Sequence, residues 1–276
     1  MSSSAWELIA SPLERDDSPW ELYHENSKAT PQDPFLSAEA AQVYLAQMPE
    51  SLQFDAYPEV KLAESAPLSM QLDHAITHRS LPNELEPCSL TAGTVATLLH
   101  YAYGTTGDEP EGTPRRRRAV YSAGALFPLE IFLHCSRVAG MAPGIYHYDP
   151  PGARLRFLRG GDQSQKLAPA LMDGRIAQTA ALTLFIAAMP ERSVLRYGDR
   201  GYRFALLEAG AVVQNLNLVA SALGLACMNV GEFFDRQIDD VLNLDGLTIS
   251  TLYVVAIGKP AREEAVPMDR ETGHAR

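Results

Sequence analysis

LRYGDRGYRFALLEAGAVVQNLNLVASALGLACMNVGEFFD, residues 195–235, is the stretch around which the rest of the chain is organised. Between Tyr202 and Leu223 it predicts one helix, with Asp199 after Gly198 at its N-cap and Gly224 suited to the left-handed position past its end. Apolar residues point in nearly every direction around it, from Phe204 and Leu207 through Val212 and Leu216 to Leu223. A helix apolar on all sides is expected to be buried. Its polar residues then need partners, because a buried unpaired amide or carboxylate costs about 1–3 kcal/mol. Glu208 and Asn215 share one face, and Gln214, Asn217 and Ser221 share another. Two arrangements satisfy them: internal partners in the core, or a ligand on one side and a second subunit on the other, with Gly210 allowing close approach. Both stay open at the level of sequence.

The chain has 276 residues, 46% hydrophobic and 21% charged, an ordinary globular composition for one large domain or two small ones. Its net charge of -11, from 34 acidic and 23 basic residues, argues against a nucleic-acid partner held by phosphate contacts. No apolar run reaches the ~20 residues of a membrane helix. The N-terminus MSSSAWELIASPLERDD lacks the basic region and apolar core of a secretory signal, so a cytosolic protein without a membrane partner is expected. Cys88, Cys135 and Cys227 are odd in number and far apart, which suggests neither a disulfide framework nor a CxxC site. The histidines show no HExxH or HxH spacing, and no metal site is expected.

Residues 1–60 are rich in Pro, Ser and charge, with one helix predicted at Ser37–Gln47 and stopped by Pro49. This reads as an N-terminal extension laid over a core, and its segment YHENSK (residues 23–28) reads as a loop. A polar loop, HRSLPNELEP, then precedes an amphipathic helix, SLTAGTVATLLHYAYG, capped by Ser89 or Thr91 and stopped by Gly104. His78, Arg79 and Ser80 offer two potential cations and a hydroxyl, as either a solvated turn or an anion-binding cluster. The run Arg115–Arg118 reads, in isolation, as a solvated face. After it, the small-residue turn Ser122–Ala125 permits backbone N–H groups to approach a flat or anionic ligand and leads into the apolar run Leu129–His134. Residues 144–158 predict a β-hairpin in which His147 is a strand residue without chemistry. A short helix near Gln163–Met172, a strand at Ala180–Ala188 and a last strand at Leu252–Ile257 complete an α+β domain with a central antiparallel or mixed sheet. No GxGxxG follows a strand, which argues against a Rossmann site.

In order, SAGALFPLE after an arginine pair, PGIYHYDP, RYGDRGYRFALLEAG with QN downstream, NVGEFFD and VAIGKP resemble the SagB-type dehydrogenases of the nitroreductase superfamily. These are FMN-dependent oxidases that include azoline dehydrogenases and the oxidase domains of nonribosomal synthetases. The resemblance covers about residues 72–260, and YHENSK echoes a segment ahead of it. It divides the chain into the extension 1–60, an FMN-binding domain 61–265 and a C-terminal tail 266–276. It implies a nitroreductase-like α+β fold with helices flanking the sheet, and a homodimer with two FMN sites at the subunit interface. By motif, His78, Arg79 and Ser80 hold the FMN phosphate and ribityl chain, with Lys259 a further phosphate candidate. Ser122, Ala123, Gly124 and Ala125 form the turn that reaches the flavin across the dimer. Gly231 and Glu232 form the turn whose backbone donates near flavin N5, and Gln214 lines the pocket. The sequence departs from the pattern twice. Tyr121, counted with the cofactor-binding turn, replaces the proline before it, which is expected either to alter the turn or to put a ring near the substrate. The pair Arg196-Tyr197 replaces the Lys-Tyr of azoline dehydrogenases.

Azoline oxidation removes a proton from the ring carbon next to the peptide carbonyl and a hydride from its neighbour, so a base is required. Arginine stays protonated and cannot serve. Tyr197 is the candidate base, with Arg196 as the fixed cation expected to lower the phenol's pKa from about 10. The resemblance thus implies a cytosolic oxidase acting on a peptide- or carrier-bound azoline, with partners in a biosynthetic complex. Its rivals are an NAD(P)H-dependent nitro- or quinone reductase and a non-catalytic scaffold of the same fold.

Overall fold

The computed structural model describes residues 18–32, 35–80, 82–107 and 115–261; the expected tail 266–276 and residues 1–17 lie outside them. Helix α1 (Pro19–Asn26) takes in much of YHENSK, which the sequence reads as a loop. Proline at its first turn starts it. A distant residue holds it: Arg203 donates to Ser27 Oγ at 2.7 Å and to the His24 carbonyl at 2.5 Å, while Tyr23 packs edge-on against Tyr202 at 5.7 Å. Local composition carries no trace of such a latch. Helix α2 (Ala38–Gln47) starts where expected, with Ser37 Oγ accepting from the Ala40 N–H at 3.2 Å.

After β1 (Glu59–Lys61), a short α3 (Leu72–Thr77) occupies the start of the expected polar loop, and β2 (Leu85–Glu86) and β3 (Leu90–Thr91) follow. The amphipathic helix is α4 (Ala92–Tyr103); Thr91 Oγ1 caps it from the Thr94 N–H at 3.1 Å, and it ends at Gly104. The run after the small-residue turn is β4 (Leu129–Cys135), followed by β5 (Val138–Ala139) and the expected hairpin of β6 (Gly144–Asp149) and β7 (Arg154–Gly160). Short helices α5 (Ser164–Leu167) and α6 (Arg175–Thr179) lead to β8 (Leu182–Ala188), α7 (Glu191–Tyr197) and the long α8 (Arg200–Ala222). The described chain finishes with β9 (Ala226–Val230), α9 (Asp235–Leu242) and β10 (Ser250–Pro260).

Eight strands form the main sheet in the order β1-β7-β6-β4-β8-β10-β2, with β9 also paired to β10. Every pairing in it is antiparallel, and among the described residues only the separate β3–β5 pair is parallel. β10 outruns its expected length because it pairs with β8 and β9 and, at Lys259 and Pro260, with β2. The central strands β4 and β8 are buried at every position. Alternation sends Ile131, Leu133 and Leu184 toward Leu98, Val212 and Leu216 of α4 and α8. Phe132 and Phe185 go the other way, toward Leu167, Ile238 and Leu242 of α5 and α9. Helical layers therefore flank the sheet on both faces.

α8 is not buried on all sides. Ala205, Glu208, Ala209, Val212, Leu216 and Val219 face the core, whereas Leu207 is 70% exposed and Leu206, Gly210, Ala211 and Gln214 are exposed beside it. By length and composition α8 could cross a membrane, contrary to the sequence expectation, yet over half of its most apolar window is buried within this fold. Its buried amides have internal partners. Asn215 reaches the Ala119 carbonyl at 3.2 Å, and Asn217 reaches Asn229 Oδ1 at 3.1 Å. Gly224, at φ 68°, closes the helix in the left-handed conformation, and the Leu225 N–H returns to the Ala220 carbonyl at 2.8 Å.

Candidate functional site

The small-residue turn is wound against the preferences of its own backbone. Gly124, Ala125 and Phe127 have φ of 64°, 54° and 46°. A left-handed non-glycine residue costs about 1–2 kcal/mol, so the surroundings must impose the shape. Two arginines of the run read as a solvated face do so. Arg115, 1% exposed, donates to the Leu126 carbonyl at 2.7 Å and to the Met48 carbonyl at 2.9 Å. Arg118 spreads its guanidinium over the rings of Tyr103 and Phe127, at 4.7 and 4.2 Å, and donates to the Glu50 carbonyl at 3.0 Å. Ser122 Oγ accepts from the Phe127 N–H at 2.9 Å. Only Arg116 and Arg117 of the run are exposed.

α7 is pinned to this turn from the other side. Arg192 donates to the Phe127 carbonyl at 3.1 Å and pairs with Glu130 at 2.6 Å. Glu130, in β4, also accepts from Ser51 Oγ at 3.0 Å and from the Leu52 N–H at 2.9 Å, and meets His147 Nε2 at 2.7 Å. Burial opposes its charge, but His147 and Arg192 overcome that and hold the carboxyl down at about 2. His147, expected to be inert in its strand, is thus one wall of a buried ionic hub.

That clamp delivers Arg196 and Tyr197, from the end of α7, to Gly124. A Cβ on Gly124 would lie 2.6 Å from Arg196 Nη1 and 2.8 Å from Tyr197 Oη. The guanidinium sits 5.1 Å from the Tyr197 ring centroid. The expected lowering of the phenol's pKa does not follow. Burial pushes it up, Arg196 only partly offsets this, and Tyr121 adds to the rise.

Beneath the turn lies a residue whose chemistry the sequence reading missed. Glu208 Oε1 accepts from the Tyr103 hydroxyl at 2.8 Å, and burial pushes its carboxyl up to about 7 against the Ser122 and Tyr103 hydroxyls and Arg118. The signal for Glu208 and Glu130 was a single carboxylate inside an apolar run, FALLEAGAVV and ALFPLEIFL.

A cavity of about 560 Å3 opens at the turn, lined by Ser122, Gly124, Ala125, Arg196 and the whole arginine run, with Tyr121, 84% exposed, beside it. Tyr197 also borders a smaller cavity of about 170 Å3, walled by Ser27, Phe35 and Arg200. Gly231 and Glu232 line a third, of about 540 Å3, with Met172 and Asn229. Gln214 is on the open stripe of α8. His78 caps α3, stacked on His74 at 4.0 Å, with Arg79 exposed and Ser80 half-buried after it; Lys259 is exposed opposite Glu86. Within one chain, then, the turn meets Arg196 and Tyr197, while His78, Arg79, Ser80, Gln214, Gly231, Glu232 and Lys259 do not line that cavity.

An antiparallel sheet between helical layers, with this turn held against a helix end, defines a nitroreductase-like α+β fold. Residues 90–259 match the nitroreductase family, and the chain belongs to that family, whose members are typically flavin-dependent oxidoreductases. It is 34% identical over 188 residues to MJ1384 of Methanocaldococcus jannaschii, covering 67% of this chain and 90% of that protein. To the microcin B17-processing protein McbC of Escherichia coli it is 28% identical over 214 residues, covering 70% of this chain and 72% of that protein. Among solved structures, a protein from Anabaena variabilis superposes with a TM-score of 0.71 at 22% identity over 87% of this chain, which spans about half of that protein's length (47%). The E. coli microcin synthetase McbBCD complex with truncated pro-MccB17 bound gives a TM-score of 0.57 at 24% identity, covering 88% of this chain and 92% of the matched one. These two likenesses show the fold.

Proposed function

We propose that this chain is an FMN-dependent dehydrogenase of the SagB type, converting azolines to azoles on a peptide or carrier-bound substrate. It works in the cytosol as a homodimer beside partners of a biosynthetic complex. One observation carries the reading: the turn Ser122–Ala125 and the pair Arg196-Tyr197, some seventy residues apart in sequence, meet at Gly124 across a space too small for a Cβ. The similarity to McbC supports the azole direction.

The residues fit a flavin. The turn presents backbone and methyl groups to a flat ring, Gly124 lets Arg196 and Tyr197 close against it, and the cavity of about 560 Å3 at the turn, within the usual range of a small-molecule pocket, roughly 300–1,000 Å3, leaves room for a substrate beside the ring. In this reading His78, Arg79, Ser80 and Lys259 hold the phosphate and ribityl chain, and Ser122–Ala125, Gln214, Gly231 and Glu232 hold the ring between two copies of the chain. The open apolar stripe Leu206, Leu207, Ala211 supports a second copy there. Bound FMN would supply the two-electron acceptor that takes hydride at N5, with O2 as final acceptor.

Tyr197 handles the substrate proton. Its phenol is protonated at neutral pH, so the base-competent form grows only as pH rises through and above the ordinary tyrosine range. Arg196 supplies the fixed charge that orients the substrate carbonyl beside it. The test uses flavin-loaded protein and an azoline peptide, reading the loss of two hydrogens by mass. Tyr197→Phe should lower the rate by about 100-fold or more and remove its rise with pH. An unchanged rate sinks the assignment of Tyr197. Rapid bleaching of the flavin by NAD(P)H without azole formation would assign a reductase instead.

A further inference from the structure

The cleft beside the turn is lined by five arginines, Arg115 to Arg118 and Arg196, and by no carboxylate among its described residues, in a chain of net charge -11. A concave wall of one sign focuses its field and concentrates the opposite charge. Arg115 is spent on backbone carbonyls, and Arg116 Nη2 leans on the Pro151 carbonyl at 3.0 Å with the rest of its fork facing solvent. Arg117 is exposed next to it. Arg118 is 6% exposed, yet its Nη1 is buried and has no hydrogen-bond partner. Its charge still contributes to the field of the cleft, because the guanidinium is held against the Tyr103 and Phe127 rings rather than paired with a carboxylate. Val120, Phe127 and the Tyr121 ring give the same cleft an apolar side. Its complement is therefore an apolar body with anionic oxygens beside it, and planar guanidinium forks match carboxylates bidentately.

We propose that this cleft reads carboxylates: the substrate is an acidic peptide segment whose Asp or Glu side chains flank the reacting group and are met by Arg116 and Arg117 at the rim, with the buried Arg118 adding positive field behind them. This deepens the reading of the site as a peptide-modifying one and rests on it. It separates the substrate anion from the cofactor phosphate, which that reading gives to His78, Arg79, Ser80 and Lys259.

The test measures binding of two fluorescent peptides, azoline-containing and identical except for Glu or Gln flanks, to the purified full chain by anisotropy. Flavin content is read from the absorbance spectrum. At low salt the Glu peptide should bind about tenfold tighter, as expected for two exposed guanidinium–carboxylate pairs. That preference should shrink to about twofold at 0.5 M salt, where the Debye length is only a few ångströms. The double variant Arg116→Gln/Arg117→Gln should lose it at low salt while keeping its flavin. Equal binding of the two peptides by the unmodified chain overturns the proposal, and so does a preference that survives the double substitution. Loss of flavin in the double variant, or displacement of the Glu peptide by millimolar inorganic phosphate, would make this a phosphate site and also overturn it. A tenfold Glu preference in a protein that forms no azole leaves the cleft's specificity standing and removes the azoline reading.

Discussion

Substituting Gly124 by alanine tests the contact on which the site is built. Two costs can be read from the structure. Alanine at φ 64° costs about 1 kcal/mol more than glycine. The new Cβ would also sit 2.6 Å from Arg196 Nη1 and 2.8 Å from Tyr197 Oη, so each must retreat by about 1 Å to reach ordinary contact. Both are the far ends of long side chains, which keeps this second cost near 1 kcal/mol, the low end of overpacking. The fold should thus lose about 2 kcal/mol, or about 4–8 °C in Tm. Turnover should fall much further, by about 100-fold, because that retreat is the scale of misplacement that disables a catalytic group. Gly231→Ala is the control: its nearest neighbour is the Tyr253 ring at 4.0 Å and its φ is not in the left-handed range, so Tm should stay within about 2 °C. Thermal unfolding and azoline turnover, measured side by side, decide the matter. A Gly124→Ala protein with unchanged Tm and unchanged rate would refute the packing of Arg196 and Tyr197 against the turn.

Two further substitutions probe the buried charges that hold the site. Glu208 keeps its proton up to about pH 7 in the folded chain but loses it near 4.5 when unfolded, so the folded state binds more protons between those values and stability falls as pH rises through them. The fall is on the order of 3 kcal/mol, and Glu208→Gln should remove it. Urea unfolding at pH 5 and pH 8 should show the variant gaining on the natural chain at the higher pH, and parallel behaviour would rule out a protonated Glu208. Arg192→Met takes the arginine partner from Glu130 and should cost about 3–5 kcal/mol by urea unfolding, with part of the loss restored by adding Glu130→Gln. No restoration would mean that Arg192 acts through the Phe127 carbonyl alone.

What could be read in the sequence was whatever depends on neighbours along the chain. Thr91 and Gly104 bound α4, Ser37 starts α2 and Gly224 ends α8, because caps are satisfied within a turn of the helix. The alternation of residues 144–158 gave the hairpin for the same reason, and the ordered motifs were enough for the nitroreductase family, though not for the SagB type within it. Contacts between segments were out of reach. YHENSK is helical because Arg203, 176 residues away, holds its end. The arginine run divides into two buried braces and two exposed side chains because the Phe127 turn needs carbonyl partners and a cationic cover. α8, apolar all round in sequence, leaves one stripe uncovered because a single chain supplies layers for only part of its circumference. Even the neighbouring pair Arg196-Tyr197 misled, since proximity argued for a lowered phenol and burial, which exists only once the chain has folded, raised it. Local order fixes caps, turns and strand alternation, because their partners lie within a few residues; desolvation and long-range pairing fix the latched helix, the length of the edge-paired strand and which side chains can act.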